Sequence, residues 1–338
     1  MTISGTRGKL RAAVIGAGLM GRWHAAAVRH VGHPISAVYD ADPLRAKRLA
    51  NALGVPAVNS LDEAIEAADV VHVCSPLPTH AMIASRALAA GRSVVCEKPL
   101  AESPAEVRAL HASAVGGGVL LVPTHQFLFQ RGVQEALRAL PTLGGMRHID
   151  LIACTAGASG RDAAGTEAIA MDVLPHPLSL VERLLPGTLD QIRWSVAITP
   201  LGELRIAGTC GESSVGILIS CSGRPPVNQL RIICTGGTVV ADLFHGFATI
   251  DRGGTSRVGK ITRPLTSACR TFTAASVNLA RRGWRQESAY PGLRELIAAT
   301  YRAAETGAEP PISAQESVAV ADACAIVGRL RAGHAKGD

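Results

Sequence analysis

The stretch "VIGAGLMGRWH", Val14 to His24, decides how the first half of the chain is read. Gly16, Gly18 and Gly21 have G-x-G-x-x-G spacing, directly after the β-branched run "RAAVI" (11–15) and where a helical pattern begins. The glycines alone are a weak signal. A strand before them and a helix after them supply the context of a dinucleotide-binding turn. Gly16 allows the tight turn, Gly18 lets backbone approach a pyrophosphate, and Gly21 permits close helix–strand packing. Leu19 and Met20 stand at the helix N-terminus, whose free N–H groups and partial positive charge suit a pyrophosphate. Asp40 ends the run "ISAVYD", 19 residues past Gly21. That place matches the acid that hydrogen-bonds an adenosine ribose. A carboxylate there repels a 2′-phosphate, so NAD is expected in preference to NADP.

Outward from this motif, strand-like runs at 11–15, 35–40, 69–74, 92–97 and 118–123 alternate with helical patterns near 20–31, 43–53, 61–67, 79–90 and 103–114. In the last of these Ser103 can cap, Pro104 fits the first helical position and Glu106 can reach back to the cap. Strand–helix alternation with short connections predicts a doubly wound parallel sheet. Past Pro141 strands follow without helices between them, near 146–156, 191–199, 203–209, 213–221, 228–235, 237–243 and 247–251. Turn signals such as "TPLGE" and "SGRPPVN" separate them, which predicts an open, mainly antiparallel sheet. Two helical patterns, "GLRELIAATYRAAETG" and "SAQESVAVADACAIVGRLRAG", close the chain, and "RGGTSRVGKITRP" (252–264) reads as an exposed loop. The organisation expected is a flexible tail (1–9), a Rossmann domain (10–125) and an α+β domain for substrate binding and oligomerisation (126–338).

The 338 residues are 47% hydrophobic and only 3% aromatic, which suits helices over an apolar parallel sheet. The net charge of +7 is read as spread along the chain, in pieces such as "LARRGWRQ" (279–286). Without a clustered basic stripe and interleaved aromatics, no nucleic-acid partner is expected. No apolar run reaches the eighteen or so residues of a membrane span, and "MTISGTRGKLR" lacks a signal-peptide core. A cytoplasmic protein without a membrane partner is expected. Eight cysteines form no C-x-x-C pair. They read as free thiols in a reducing compartment, with no metal site.

One further stretch asks for chemistry: "MDVLPHPLSLVERLL" (171–185) sets His176 between two prolines, four residues after Asp172. At "CEKPLA" the pattern becomes specific. Together with "VIGAGLMG", Asp40 and "VCSPLPTHAMIASRALAAGRSVVCEKPLA", the chain resembles the Gfo/Idh/MocA oxidoreductases, the glucose–fructose oxidoreductase and inositol dehydrogenase family, over essentially its whole length. The resemblance puts Glu97–Lys98–Pro99 at the end of the fifth strand, with Lys98 hydrogen-bonding the reacting oxygen near the nicotinamide ribose. It places Ser75, Pro76 and His80 near the cofactor, Asp172 and His176 as the acid–histidine pair, and His125 in the loop after the sixth strand. Beside these, Glu97 is a candidate on the cofactor side next to the lysine, and His125, Gln126 and Arg131 are candidate substrate-pocket residues. It implies hydride transfer between nicotinamide and a hydroxyl or carbonyl carbon of a sugar, cyclitol or nucleotide-linked sugar. His176 would exchange the proton, assisted by Asp172, in a homodimer or homotetramer built through the second sheet. An NAD-dependent glycosidase, a ketone or imine reductase of a biosynthetic pathway, and a non-enzymatic dinucleotide sensor share this outline. Three departures bear on the site: "DVLPHP" between the acid and histidine, Leu77 in "SPLPTH", and "VPTHQFLFQRG" where many members carry an arginine-rich stretch. The prolines lead us to expect non-helical backbone at Leu174 and His176.

Overall fold

The computed structural model describes residues 8–155, 157, 163–199, 202–254 and 256–334. Most of the tail expected at 1–9, and Ala156 at the end of an expected strand, lie outside them. Strands β1 (Ala12–Ile15), β2 (Ile35–Tyr39), β3 (Val70–Val73), β4 (Ser93–Cys96) and β5 (Leu121–Pro123) form a parallel sheet in the order β2-β1-β3-β4-β5. Helices α1 (Leu19–His30), α2 (Pro43–Leu53), α3 (Leu61–Glu66), α4 (His80–Ala89) and α5 (Pro104–Gly117) connect them. The residues of β1, β3, β4 and β5 are all buried, as a sheet covered on both faces requires. E-K-P therefore follows the fourth strand and His125 the fifth, each one earlier in count than expected.

The chain divides into two compact units, residues up to Thr124 with Leu293–Ala321, and His125–Gly292 with the residues from Asp322. The span 126–338 is thus not one piece: the chain returns to the dinucleotide-type unit at Leu293. The cause is α10 (Leu293–Thr306), whose buried face of Leu293, Leu296, Ile297, Thr300, Tyr301 and Ala303 packs on α1.

In the second unit, α6 (Arg131–Ala139) leads to a seven-stranded sheet of β6 (Met146–Cys154), β7 (Arg193–Ile198), β8 (Leu204–Cys210), β9 (Ser213–Ser220), β10 (Val227–Cys234), β11 (Gly237–Asp242) and β12 (Phe247–Arg252). Its order is β12-β11-β10-β6-β9-β8-β7, antiparallel except for the β6–β9 pair. Helices α7 (Ala163–Val173), α8 (Pro175–Leu184), α9 (Arg257–Trp284) and α11 (Ala314–His334) complete the described elements.

Two expectations need correction. Leu174 is helical (φ −53°, ψ −36°), and its N–H and carbonyl engage Ala170 O and Leu178 N at 3.1 and 3.3 Å. His176 lies in α8 itself. The bias against helix before proline is a preference, and the complete burial of Leu174 overrides it. The other correction concerns 252–264, read as a loop: residues from Arg257 open α9, where the Ser256 hydroxyl caps by accepting from Gly259 N at 3.0 Å.

Candidate functional site

Strand order reverses between β1 and β3, and the glycine turn sits at that switch point, outside the carboxyl ends of the strands. Gly16 has φ +97°, and a Cβ there would lie 2.5 Å from the Cys74 carbonyl carbon. A Cβ on Gly21 would lie 1.9 Å from Gly16 O. Both positions therefore exclude any side chain. Gly18 differs: nothing lies within 4 Å of its absent Cβ, and it gives α1 no side-chain cap. The N-terminus of α1, which begins at Leu19, therefore has no side-chain cap and has open space beside Gly18. Asp40 borders this cradle. Its carboxylate accepts from Ala17 N at 2.7 Å and from Asp42 N at 2.8 Å. A carboxylate has about four acceptor sites, so a ribose hydroxyl can still be taken after these two bonds. The cradle fits a dinucleotide pyrophosphate and ribose.

The neighbouring loops are tied together by His80. It is buried, with Nδ1 2.8 Å from Pro99 O and Nε2 2.7 Å from Ser75 O. Both ring nitrogens are engaged within the protein, so His80 fastens the Ser75–Pro76 loop to the E-K-P loop rather than presenting a polar atom outward. Ser75 Oγ accepts from Thr79 Oγ1 at 2.7 Å, and Pro76 is exposed on the same loop. Lys98 is half-buried at the carboxyl end of β4.

Glu97 is turned inward and begins a buried polar chain that the sequence reading missed. Its Oε1 lies 2.9 Å from His24 Nε2; His24 Nδ1 lies 3.0 Å from His72 Nδ1; His72 Nε2 lies 2.9 Å from the Tyr301 hydroxyl. With both histidines neutral, every contact is satisfied when Tyr301 donates to His72, His72 to His24, and His24 to the carboxylate. Burial, then the neighbouring His24, holds the pKa of His72 well below that of ordinary histidine, while burial raises that of Tyr301. Burial, reinforced by the Glu97 charge, also raises the thiols of Cys74 and Cys96 and keeps them protonated.

In the second unit, Asp172 is exposed in the last turn of α7, and His176 is half-buried one turn further on, at the start of α8. The His176 ring stacks on Phe127 with centroids 4.5 Å apart and an interplanar angle of 25°. Phe127 belongs to the helical turn 126–129, which packs against α8. His125 and Gln126 on this segment are buried, and Gln126 Oε1 has no hydrogen-bond partner among the described residues. Arg131 opens α6. It pairs with Glu135 on its own helix (Nε–Oε1 2.6 Å) and lines a groove with Phe247–Ile250 of β12 and Arg270 of α9. The i, i+4 pairing on α6 and the exposure of its outer side draw it there. Among the described residues, no three His, Cys, Asp or Glu side chains are grouped to hold a metal ion.

Comparison with known proteins follows the same division. Residues 10–125 match the family model "Oxidoreductase family, NAD-binding Rossmann fold". The chain is 37% identical over 139 residues to inositol 2-dehydrogenase of Leifsonia xyli, covering 40% of each protein. It is 30% identical over 240 residues to UDP-N-acetylglucosamine 3-dehydrogenase of Acidithiobacillus ferrooxidans, covering 66% of this chain and 71% of that protein. The first three curated relatives are matched over only 36–40% of their own length. The WlbA dehydrogenase of Bordetella pertussis, solved with NADH and UDP-GlcNAcA, superposes with a TM-score of 0.77 over 97% of each chain at 16% identity, a likeness of fold. Glycine turn, E-K-P loop, open second sheet and these matches agree: the chain belongs to the Gfo/Idh/MocA family of oxidoreductases.

Proposed function

We propose that the protein is an NAD-dependent oxidoreductase that moves a hydride between nicotinamide and a hydroxyl or carbonyl carbon of a sugar, cyclitol or nucleotide-linked sugar. The observation that carries this reading is the cradle at Gly16–Gly21: an uncapped α1 N-terminus, open space at Gly18, and Asp40 fixed beside it. The glycine turn would hold the pyrophosphate and Asp40 the adenosine ribose. Charge repulsion at Asp40 disfavours a 2′-phosphate and hence NADP. The substrate class follows the relatives named above, whose names specify inositol and a nucleotide-linked sugar.

A bound nicotinamide dinucleotide supplies the hydride acceptor for oxidation and the donor for reduction. Lys98 donates to the reacting oxygen, and its ammonium stabilises developing alkoxide charge. His176 takes the hydroxyl proton in oxidation and returns it in reduction, as general base and general acid. Phe127 fixes the plane of that ring by stacking. Asp172 is a positioning residue for His176. Glu97, held by His24, sets the path of the backbone into Lys98. Self-association through the open face of the seven-stranded sheet is part of the proposal, since alternate residues such as Arg205, Ala207 and Thr209 of β8 leave that face uncovered.

The test is purified protein with NAD or NADP and a panel of sugars, inositols and nucleotide-linked sugars, followed by nicotinamide absorbance. Turnover with NAD is expected, and Lys98→Met should lower kcat/KM by about a hundredfold or more while NAD still binds. Unaltered turnover in that variant would remove Lys98 from the mechanism. A panel with no turnover, despite NAD binding, would sink the oxidoreductase reading.

A further inference from the structure

Four polar side chains stand in a row inside a core made largely of Ala and Val. His72 lies on β3 between Val14 of β1 and Val95 of β4, and it is fully buried. His24, in the second turn of α1, is buried as completely, and Tyr301, on the inner face of α10, is 1% exposed. Glu97 closes the row where β4 ends. Polar groups placed here cost desolvation, and apolar residues of similar volume often stabilise such a core as well or better. Packing alone does not account for the row.

The row has a direction. Both nitrogens of each histidine and both oxygens of Glu97 are engaged. With both rings neutral, each histidine has one donor and one acceptor, so the hydrogen on one ring fixes the hydrogen on the next. When Tyr301 donates to His72 Nε2, His72 donates from Nδ1 to His24 Nδ1, and His24 donates from Nε2 to Glu97 Oε1. A hydroxyl at one end thus decides that an N–H, not a lone pair, meets the carboxylate at the other. That hydroxyl is delivered by packing, because the Tyr301 ring lies against His33 with centroids 4.3 Å apart. The other carboxylate oxygen, Oε2, accepts from Lys98 N at 3.3 Å. On the far side of Lys98, Pro99 O lies 2.8 Å from His80 Nδ1. The backbone that carries Lys98 is therefore pinned at both flanks, and one pin is the end of this row.

We propose that Tyr301 and His72 are positioning residues for Lys98: acting through His24, they hold the Glu97 carboxylate in the rotation that clamps the Lys98 backbone amide. Their part is indirect, and it rests on the reading of Lys98 as the group that holds the reacting oxygen. It gives α10, which joins the first unit from late in the chain, a share in the chemistry beyond closing the core.

The full chain, labelled in its histidine rings, should be studied by nitrogen NMR, with His24→Gln and His72→Gln assigning the signals. His72 is expected as the Nδ1–H tautomer and His24 as the Nε2–H tautomer. In Tyr301→Phe, which keeps the ring against His33, His72 should lose that single form. The carbon NMR signal of dimethylated Lys98, identified by its loss in Lys98→Arg, should move in the same variant, with those of Lys47 and Lys260 unmoved. In the turnover assay Tyr301→Phe should lower kcat about tenfold, while Kd for NAD changes less than about twofold. Glu97→Gln should lower kcat too, and the double variant should be no slower than the slower single one, because both cut one chain. His72 found as the Nε2–H tautomer in the parent overturns the proposal, and that measurement stands even if Tyr301→Phe does not fold. An unmoved Lys98 signal, additive losses in the double variant, or a Tyr301→Phe protein that melts lower yet keeps parental kcat also overturns it. Turnover that survives Lys98→Met, with the tautomers and the Lys98 signal as expected, would instead remove the catalytic role of Lys98 and leave the positioning of its backbone supported.

Discussion

At Gly16 a single methyl group has nowhere to go. Its φ of +97° is costly for any L side chain, and the added carbon would meet Cys74 backbone at 2.5 Å. Gly16→Ala should therefore cost more than about 2 kcal/mol and abolish NAD binding, measured by urea unfolding and fluorescence titration. This position was legible, because the glycine spacing and its strand–helix context are local. The partners of Glu97 were not. His24 stands inside the quoted motif and His72 inside an apolar strand, yet His72 meets Tyr301 across 229 residues of sequence. Another buried histidine sets a pH dependence. Burial pushes the pKa of His111 from 6.5 down to about 4, and its Nε2 has no hydrogen-bond partner among the described residues. The unfolded chain takes up this proton first as pH falls. The native state is favoured above pH 6.5 and loses that advantage as pH drops toward 4. The loss is on the order of 3 kcal/mol, and His72, shifted the same way, adds to it. In His111→Leu, denaturation curves across that window should be flatter than those of the parent.

Helix ends and interruptions make the element scale. The start of α5 follows its sequence signature: Ser103 Oγ accepts from Glu106 N at 3.3 Å, and Glu106 Oε2 accepts from Ser103 N at 2.9 Å. Ser103→Ala removes one arm of this capping box and should cost about 1 kcal/mol by thermal melting, with NAD affinity retained. The α7–α8 junction went against its signature. Proline disfavours helix before it by a modest amount, and burying Leu174 outweighs that amount. Asp172 and His176 accordingly sit one helical turn apart, the spacing that the prolines had argued against. For α9, glycines, charge and Pro264 all pointed to a loop, while the apolar period of three and four was present and unread.

Across the whole molecule, the chain returns at Leu293 to complete the unit that it began. Leu296 on α10 is fully buried there. Leu296→Ala should cost about 2–5 kcal/mol. Amide hydrogen exchange should report it as faster exchange in α1 and β1–β3, far away in sequence, with β8–β10 unaffected. The sequence by itself determined the alternation of the parallel sheet, the strands of the second sheet and the glycine turn with Asp40. Each of these rests on periods and spacings within a few tens of residues. Only the tertiary structure decided that α10 belongs with the first unit, that Glu97 is held by His24, His72 and Tyr301, that His176 stacks on Phe127, and that α9 leaves Val258, Ile261, Leu265, Phe272 and Leu279 exposed. Those outcomes depend on which buried surfaces and polar groups meet after folding, and no local period encodes that meeting.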